Sequence, residues 1–215
     1  ANSNYDITYA SANLSVTQRP ITVTADAKSK EYGATDPTLT YAITTGSLVG
    51  SDTLSGALSR TSGEDAGTYV IGQGSLANSN YAITYVSANL SVAQRAITVT
   101  ADAKSKEYGA TDPTFTYAIS SGSLVGADSL SGSLGRASGA NVGTYALNVG
   151  TLANANYDIT FVPANLTITQ RPITVTAANK TKVFGSTDPS LTYSITSGSL
   201  VGSDSLSGSL SRTSG

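Results

Sequence analysis

Histidine and cysteine, the side chains that most often serve as nucleophile, general base or metal ligand, are both absent from this sequence. Their absence excludes Cys–His and Ser–His–Asp catalysis, and it excludes metal sites built on thiolate or imidazole. Only Asp, Glu, Lys, Tyr and hydroxyl chemistry remains to the chain. Paired carboxylates for glycoside hydrolysis would need a cleft, which small repeating domains with 12% charged residues are not expected to form. The sequence therefore predicts no catalytic residues, no metal ligands and no cofactor-binding residues or bound cofactor, and we expect the protein not to be an enzyme.

Two aspartates that return in register along the chain are the first candidates for a ligand site. The first stands at Asp36, Asp112 and Asp188, and the second at Asp52, Asp128 and Asp204. A calcium site takes several oxygens from one compact loop, as in Asp-x-Asp-x-Asp runs, and the sequence contains no such run. Because an Asp beside Pro caps the backbone of a turn, the sequence favours turn capping, with calcium as the alternative.

Lysines and tyrosines are the remaining candidates. The stretch Lys28-Ser29-Lys30-Glu31 could bind an acidic glycan or a phosphate, but a solvated edge strand whose lysines oppose aggregation explains it better. A Lys–Asn isopeptide crosslink needs a buried Lys beside an Asn and a carboxylate, which a sequence does not reveal. The twelve tyrosines could stack on sugars, yet most fall at alternating inward positions, which favours packing in a core.

The charge balance and the hydropathy limit the partners. The chain has 12 basic and 14 acidic side chains and a net charge of -2, and no basic stripe is visible, so we expect no binding to nucleic acid. No apolar run approaches the roughly 18 residues that span a bilayer, so we expect no membrane insertion of this segment. With no Cys, each domain has to be stabilised by burial and backbone pairing without disulfides.

An internal repeat of about 76 residues organises the sequence. Its markers include the dipeptide Gln-Arg, which stands at Gln18-Arg19, Gln94-Arg95 and Gln170-Arg171. We predict complete repeats at 19–94 and 95–170. Residues 1–18 match the C-terminal part of a repeat, and residues 171–215 match the N-terminal part. We therefore expect the chain to be a segment of a longer array, with unpaired strand edges that favour end-to-end pairing with other copies.

Each repeat reads as short strands with dense turns. Apolar residues alternate with threonines in 21–25, and Leu39, Tyr41 and Ile43 share one face. This period-two pattern predicts an all-β fold of tandem small antiparallel β-sandwich domains of immunoglobulin-like type, with β-grasp-like repeats as the alternative. Residues 47–52 are the only stretch that suggests even one helical turn.

Two local features refine the predicted fold. Asp65-Ala66-Gly67-Thr68-Tyr69 and its copy 141–145 are typical of a tyrosine corner, in which the Tyr hydroxyl bonds back to the backbone. Between repeats, the strand that ends near Ala93 leads through Gln94 almost directly into the next strand, with no flexible linker. We therefore predict a semi-rigid extended rod, with a length on the order of 30–40 Å for each repeat.

The motif Lys30-Glu31-Tyr32-Gly33-Ala34-Thr35-Asp36-Pro37 resembles the signature of the MBG domain, the mostly beta, glycine-rich family of Tyr-Gly type. Gly67-Thr68-Tyr69 and Asn80-Tyr81-Ala82-Ile83 continue the pattern in order. The third copy has Phe184-Gly185 instead of Tyr-Gly, which keeps the ring without the hydroxyl, so we expect this ring to be part of the core. The resemblance implies large secreted bacterial adhesins, in which such repeats form stalks, and it carries over no catalytic residues.

Two hypotheses for the function follow. The first is a structural stalk or filament segment of a bacterial surface or biofilm-matrix adhesin, which extends a binding tip from the cell. The alternative is a multivalent carbohydrate- or protein-binding module with one weak site in each repeat. The expected partners are neighbouring repeats, other copies end to end, and a cell-surface or matrix glycan or protein. The expected location is extracellular, either on the bacterial surface or secreted.

Overall fold

The structure is a computed structural model that describes residues 2–214, and regular structure within that range consists of strands. The predicted all-β fold class is confirmed. Within the described residues no helix is long and apolar enough to cross a membrane. The strands are β1 (Arg19–Ala25), β2 (Lys28–Glu31), β3 (Tyr41–Thr45), β4 (Ser59–Arg60), β5 (Gly67–Gly72), β6 (Tyr81–Val86), β7 (Ala88–Ala93), β8 (Arg95–Ala101), β9 (Lys104–Glu107), β10 (Tyr117–Ser121), β11 (Gly135–Arg136), β12 (Gly143–Asn148), β13 (Tyr157–Val162), β14 (Asn165–Thr169), β15 (Thr174–Ala177) and β16 (Tyr193–Ser197).

The chain divides into two compact units. The first comprises Ala1–Arg95 together with Ala155–Asp158. It contains the first complete repeat, which is built from a three-stranded sheet in the order β3-β1-β6 and a four-stranded sheet in the order β2-β7-β5-β4. The presence of two small sheets in one repeat agrees with the predicted tandem β domains.

Parallel pairing between the first two and the last two strands of this repeat was not expected. β1 lies beside β6 with Arg19 opposite Tyr81, and β2 lies beside β7 with Lys28 opposite Leu90, so the same residue offset holds in both sheets. The chain changes sheets between β1 and β2, and again between β6 and β7. The other pairs in both sheets are antiparallel, as predicted. Alternation of apolar residues shows which face is buried, but it does not show the direction of the neighbouring strand.

The core of the first repeat consists of two adjoining clusters. Between the sheets, Ala25 of β1 packs against Ile71 of β5 and Leu90 and Val92 of β7. The second cluster is built on Ile21, Val23, Leu76 and Tyr81, and side chains from the connection between β3 and β4 cover it. Burial of each large aliphatic side chain contributes roughly 1.5–3 kcal/mol. The inward positions of the period-two pattern therefore supply the main stabilising term.

The second unit comprises Ala96–Asn154 and Ile159–Gly215. Its complete repeat has the sheet orders β10-β8-β13 and β11-β12-β14-β9, the same as in the first repeat, although the first residues of β8 and β13 belong to the first unit. β14 and β9 are again parallel. The largest buried side chains of this repeat include Leu147, Leu166 and Ile168. The third copy contributes the antiparallel pair β15–β16, the counterpart of β1–β3.

Two segments differ from their counterparts in the complete repeats. Residues 2–18 match 78–94 in sequence, yet they form no strand, and Tyr9 and Leu14 are exposed. Residues 180–183 match β2 but are not a strand either. The predicted helical turn at 47–52 is instead a tight turn, closed by a bond from the Asp52 amide to the Val49 carbonyl at 3.0 Å. Gly50, with φ of +58°, supplies the left-handed residue of this turn.

Replacing Leu90 with Ala should destabilise the first complete repeat by about 2–5 kcal/mol, because the cavity left between the sheets is only partly refilled. The matched control is Leu14→Ala, since Leu14 stands at the same place in the repeat and is 91% exposed, whereas Leu90 is fully buried. Urea unfolding followed by circular dichroism measures both losses, and peptide-resolved hydrogen exchange assigns them to a repeat. Equal losses for the two variants would contradict the burial of Leu90.

Candidate functional site

Four charged side chains of the first repeat, Lys30, Asp36, Arg60 and Glu64, form a single group that we call the charged cluster. The Lys30 ammonium lies 2.7 Å from Asp36 Oδ1 and 2.5 Å from Glu64 Oε2. Arg60 Nε lies 2.5 Å from Asp36 Oδ2, and Arg60 also pairs with Glu64. Each cation therefore shares both carboxylates with the other cation.

The secondary structure explains how these four residues meet. β2, which carries Lys30, and β4, which carries Arg60, are the two edge strands of the four-stranded sheet. Lys30 lies opposite Val92 and Arg60 lies opposite Ile71, so both cations project from the face that bears the core. The turns after β2 and β4 bring in the two carboxylates. The charged cluster thus links two edge strands that do not pair with each other.

Burial within the charged cluster is uneven. The side chain of Lys30 is 3% exposed and that of Arg60 is 11% exposed, whereas Glu64 is 67% exposed. The prediction of an edge strand at 28–31 is confirmed, but the expectation that its lysines are solvated is wrong for Lys30. A buried ammonium requires close opposite charge, and Asp36 and Glu64 supply it. Asp36 therefore serves as an ion-pair partner in place of the turn cap that the sequence predicted.

The ionisation of the charged cluster follows from its contacts. The Arg60 guanidinium, together with the Lys30 ammonium, lowers the pKa of Asp36 to about 2, because both favour the carboxylate form. The same two cations, Lys30 foremost, lower the pKa of Glu64. Hydrogen bonds to Asp36 and Glu64 raise the pKa of Lys30. All three shifts favour charged forms at neutral pH, unlike those of a general acid or base poised near pH 7.

The other two copies contain the same Lys–Asp and Arg–Asp ion pairs. Their contacts are Lys106–Asp112 at 2.7 Å, Arg136–Asp112 at 2.5 Å, Lys182–Asp188 at 2.5 Å and Arg212–Asp188 at 2.6 Å. The second copy has Ala140 where the first has Glu64, so its cluster has one carboxylate fewer. Sequence reasoning did not single out the arginines, although their constant spacing from the aspartates in all three copies was a usable signal.

The predicted tyrosine corner is present, and it lies beside the charged cluster. The Tyr69 hydroxyl donates to the Asp65 carbonyl at 2.8 Å, and the Arg60 guanidinium carbon lies 5.2 Å from the centre of the Tyr69 ring. Gly63, with φ of +137°, lies so close to this ring that any Cβ there would overlap it. The second copy repeats the corner, with the Tyr145 hydroxyl donating to the Asn141 carbonyl at 2.8 Å. The corner therefore holds the turn that delivers Glu64 in the first copy.

The second recurrent aspartate binds a buried tyrosine. The Tyr81 hydroxyl donates to Asp52 Oδ2 at 2.7 Å and accepts from the Val49 amide at 2.7 Å. Desolvation, followed by the bond to Asp52, raises the pKa of Tyr81. Asp52 thus connects a strand to the 47–52 turn through a tyrosine side chain, in place of the predicted direct cap. The recurrent Gln-Arg dipeptide makes two hydrogen bonds near this turn. Gln18 donates to the Ser79 carbonyl, and Arg19 donates to the Ser47 hydroxyl.

The tyrosines divide between core and surface. Tyr81 and Tyr157 are buried, and Tyr32 packs against the cluster of Ala25, Ile71, Leu90 and Val92, as expected for a core ring. Tyr5 and Tyr9 are exposed. Phe184, the counterpart of Tyr32 in the third copy, is fully exposed, so the expectation of a core ring fails there.

The recurrent polar side chains of the first repeat bond with one another and with the backbone of turns. Within residues 2–214, no three His, Cys, Asp or Glu side chains are grouped so that they could hold a metal ion. The hydrogen bonds and ion pairs of Lys30 Nζ are made with Asp36, Glu64 and the Ala34 carbonyl. An isopeptide bond would need an Asn side chain in that position. The recurrent polar residues instead bond to strands and turns of the fold.

These observations define a class of protein, an array of small two-sheet β domains whose recurrent polar residues tie edge strands and turns together. A family model for the MBG domain (YGX type) matches residues 21–91, 97–167 and 173–215, and the chain belongs to this family as a tandem array of three copies. The resemblance seen in the sequence is thereby confirmed. No curated protein and no solved structure matches the chain.

The family narrows the biological setting. MBG repeat domains are associated with large surface adhesin-like proteins, and the family is typical of extracellular surface proteins. The matched ranges lie inside the repeats predicted at 19–94, 95–170 and 171–215. The exact boundaries of the domains stay a prediction.

Removing the corner hydroxyl tests the tyrosine corner. Tyr145→Phe should destabilise the second repeat by about 0.5–1.5 kcal/mol, because the Asn141 carbonyl loses its donor while the ring is retained. Tyr9→Phe is the control, since Tyr9 is 83% exposed. The midpoint of urea unfolding reports both. An unchanged midpoint for Tyr145→Phe would show that the corner hydrogen bond does not stabilise the repeat.

Acid should weaken the charged cluster. A carboxyl whose pKa is lowered in the folded state stabilises the fold above its unfolded pKa of about 4, and this contribution disappears as the pH falls through the folded pKa. Asp36→Asn should therefore reduce stability at pH 7, and its difference from the parent should shrink between pH 5 and pH 2. Urea midpoints across this range measure the difference, with Asp158→Asn as an exposed control. A difference independent of pH would contradict the ion pairing.

Proposed function

We propose that this chain is a structural spacer, a stalk or filament segment of a bacterial surface or biofilm-matrix adhesin. The observation that carries the proposal is the use of the recurrent polar residues. The Lys-Asp-Arg group is present in all three copies, and in each copy its charges are paired with one another. The features common to the copies therefore support a shared scaffold.

The connection between repeats supports the same function. β7 ends at Ala93 and β8 begins at Arg95, so a single residue, Gln94, separates the last strand of one repeat from the first strand of the next. A connection this short restricts the motion of neighbouring domains far more than a Gly/Ser linker does. We propose that added copies lengthen the array in one direction, and that the number of copies sets the reach of the adhesin.

The proposal gives the array no catalytic role and no nucleic-acid partner. Its partners are neighbouring repeats, with the adhesive ligand held by another part of the adhesin. The alternative is one weak glycan or protein site in each repeat. Such a site is least expected at 62–76, because this segment differs most from its counterpart 138–152. A site shared by all repeats should not lie there.

Small-angle X-ray scattering on arrays of increasing copy number tests the spacer function. We expect the maximum dimension to grow by a constant increment on the order of 30–40 Å for each added repeat. The matched comparison is an array with a flexible Gly/Ser linker at Gln94, whose dimension should grow more slowly with copy number. Growth of the unmodified array that matches the flexible one would overturn the rod.

Direct binding separates the spacer from the adhesive module. The array is applied to a panel of glycans, matrix proteins and cell surfaces, with the denatured array as the control. The spacer function predicts no binding above this control. Saturable binding whose avidity increases with the number of repeats would replace the spacer by a multivalent binding module.

A further inference from the structure

The Tyr-Gly turn of the second repeat lies against the third copy, inside the second compact unit. The Tyr108 side chain faces Asp204, and this carboxylate is the main cause of the raised pKa of Tyr108. Tyr108, Val142, Leu200, Val201 and Asp204 line one cleft of about 550 Å³. This turn therefore faces the 200–204 loop, which is the third-copy counterpart of the tight turn at 48–52.

The glycine of this turn is in close contact with the same loop. A Cβ on Gly109 would overlap Cγ2 of Val201 and would lie 3.0 Å from its Cγ1. Gly185, the equivalent residue of the third copy, has nearly the same backbone, with φ of +82° against +80°, but a Cβ there would meet open space. The backbone conformation explains a glycine at both positions. Of these two glycines, only Gly109 has a neighbouring side chain close to it.

The Tyr-Gly turn of the first repeat also contacts a residue of the following copy inside the first unit. The rings of Tyr32 and Tyr157 meet edge to face, with their centres 5.6 Å apart and their planes at 79°. Asn156 accepts from the Ala66 amide at 2.8 Å and donates to Asp65 at 2.9 Å. Tyr32 belongs to the Tyr-Gly turn of the first repeat, and Tyr157 begins β13 of the second. Tyr32 and Tyr108 are half-buried, whereas Phe184 is fully exposed.

We propose that the Tyr-Gly turn is the docking surface by which each repeat holds the repeat that follows it. Its partner is a second repeat of the same type, specifically the Leu-Val-Gly-x-Asp loop, which is 200–204 at the junction of the second and third copies. The aromatic ring and the loop aspartate line the same cleft, and the missing Cβ admits the loop valine. This inference goes beyond the spacer function, because docking would hold whether or not the array also binds a ligand.

The pair of equivalent glycines supplies the matched test. Gly109→Ala and Gly185→Ala introduce the same methyl group at almost the same φ, so backbone strain is common to both. Only the first should disturb the junction. A third variant, Gly109→Ala with Val201→Ala, removes the γ-carbons that the new methyl group would meet and should restore docking.

The distance between the second and third copies is the readout. The chain lacks cysteine, so spin labels are placed through Thr160→Cys and Ser194→Cys, at exposed positions of β13 and β16. Double electron–electron resonance should give a narrow distance distribution for the parent and for Gly185→Ala. The distribution should broaden for Gly109→Ala and narrow again in the variant that also carries Val201→Ala. Equal distributions for the two single variants, or no recovery in the double variant, would overturn the proposal.

If Gly109→Ala unfolds its own repeat, a second variant still tests the proposal, because Tyr108→Phe does not alter the backbone. Tyr108→Phe should increase hydrogen exchange in 200–204 by roughly fivefold, because the polar contact of the Tyr108 hydroxyl with Asp204 is lost. Tyr9→Phe is the control for a lost exposed hydroxyl. Unchanged exchange in 200–204 for Tyr108→Phe would show that the hydroxyl does not hold the loop and would overturn the docking role of Tyr108.

Discussion

The first complete repeat depends on a parallel pairing between the segment that opens it and the segment that closes it. β1 and β2 lie beside β6 and β7 with one constant offset, and both segments change sheets at the same level. Parallel strands need long connections, and here the connection contains β3, β4 and β5. Residues 2–18 and 180–183, the counterparts of β6, β7 and β2, form no strand, whereas β15 keeps its antiparallel pairing with β16.

The charged cluster and the tyrosines solve a second problem, which is how to secure turns and edges without disulfides. Lys30 and Arg60 stand on the two edge strands of the four-stranded sheet and share the same carboxylates. Tyr69 holds the turn next to them and Tyr81 holds the 47–52 turn. In each case a long side chain connects segments that the backbone ladder does not join. This use of polar groups accounts for their recurrence in register.

The sequence predicted the features that depend on neighbouring residues and missed those that join residues distant in sequence. Alternation gave the strands and the all-β class, and five consecutive residues were enough to predict the tyrosine corner at Tyr69 and Tyr145. The parallel pairs and the charged cluster were missed, because each joins residues that are distant in sequence. Lys30 illustrates the difficulty, since a lysine on an edge strand reads as solvated until the positions of Asp36 and Glu64 are known. Residues 47–52 were predicted as one helical turn, but Gly50 has a left-handed backbone there and the segment is a tight turn.

The shared direction of the opening and closing segments determines how the first repeat would bear tension. The repeat begins at the start of β1 and ends at the end of β7, and these points are the opposite ends of one parallel pairing. A pull on the two ends therefore slides the two segments past each other along their length. The hydrogen bonds between them lie across the force and share the load, so they resist together and fail together. A hairpin pulled from its open end would instead lose its bonds one at a time.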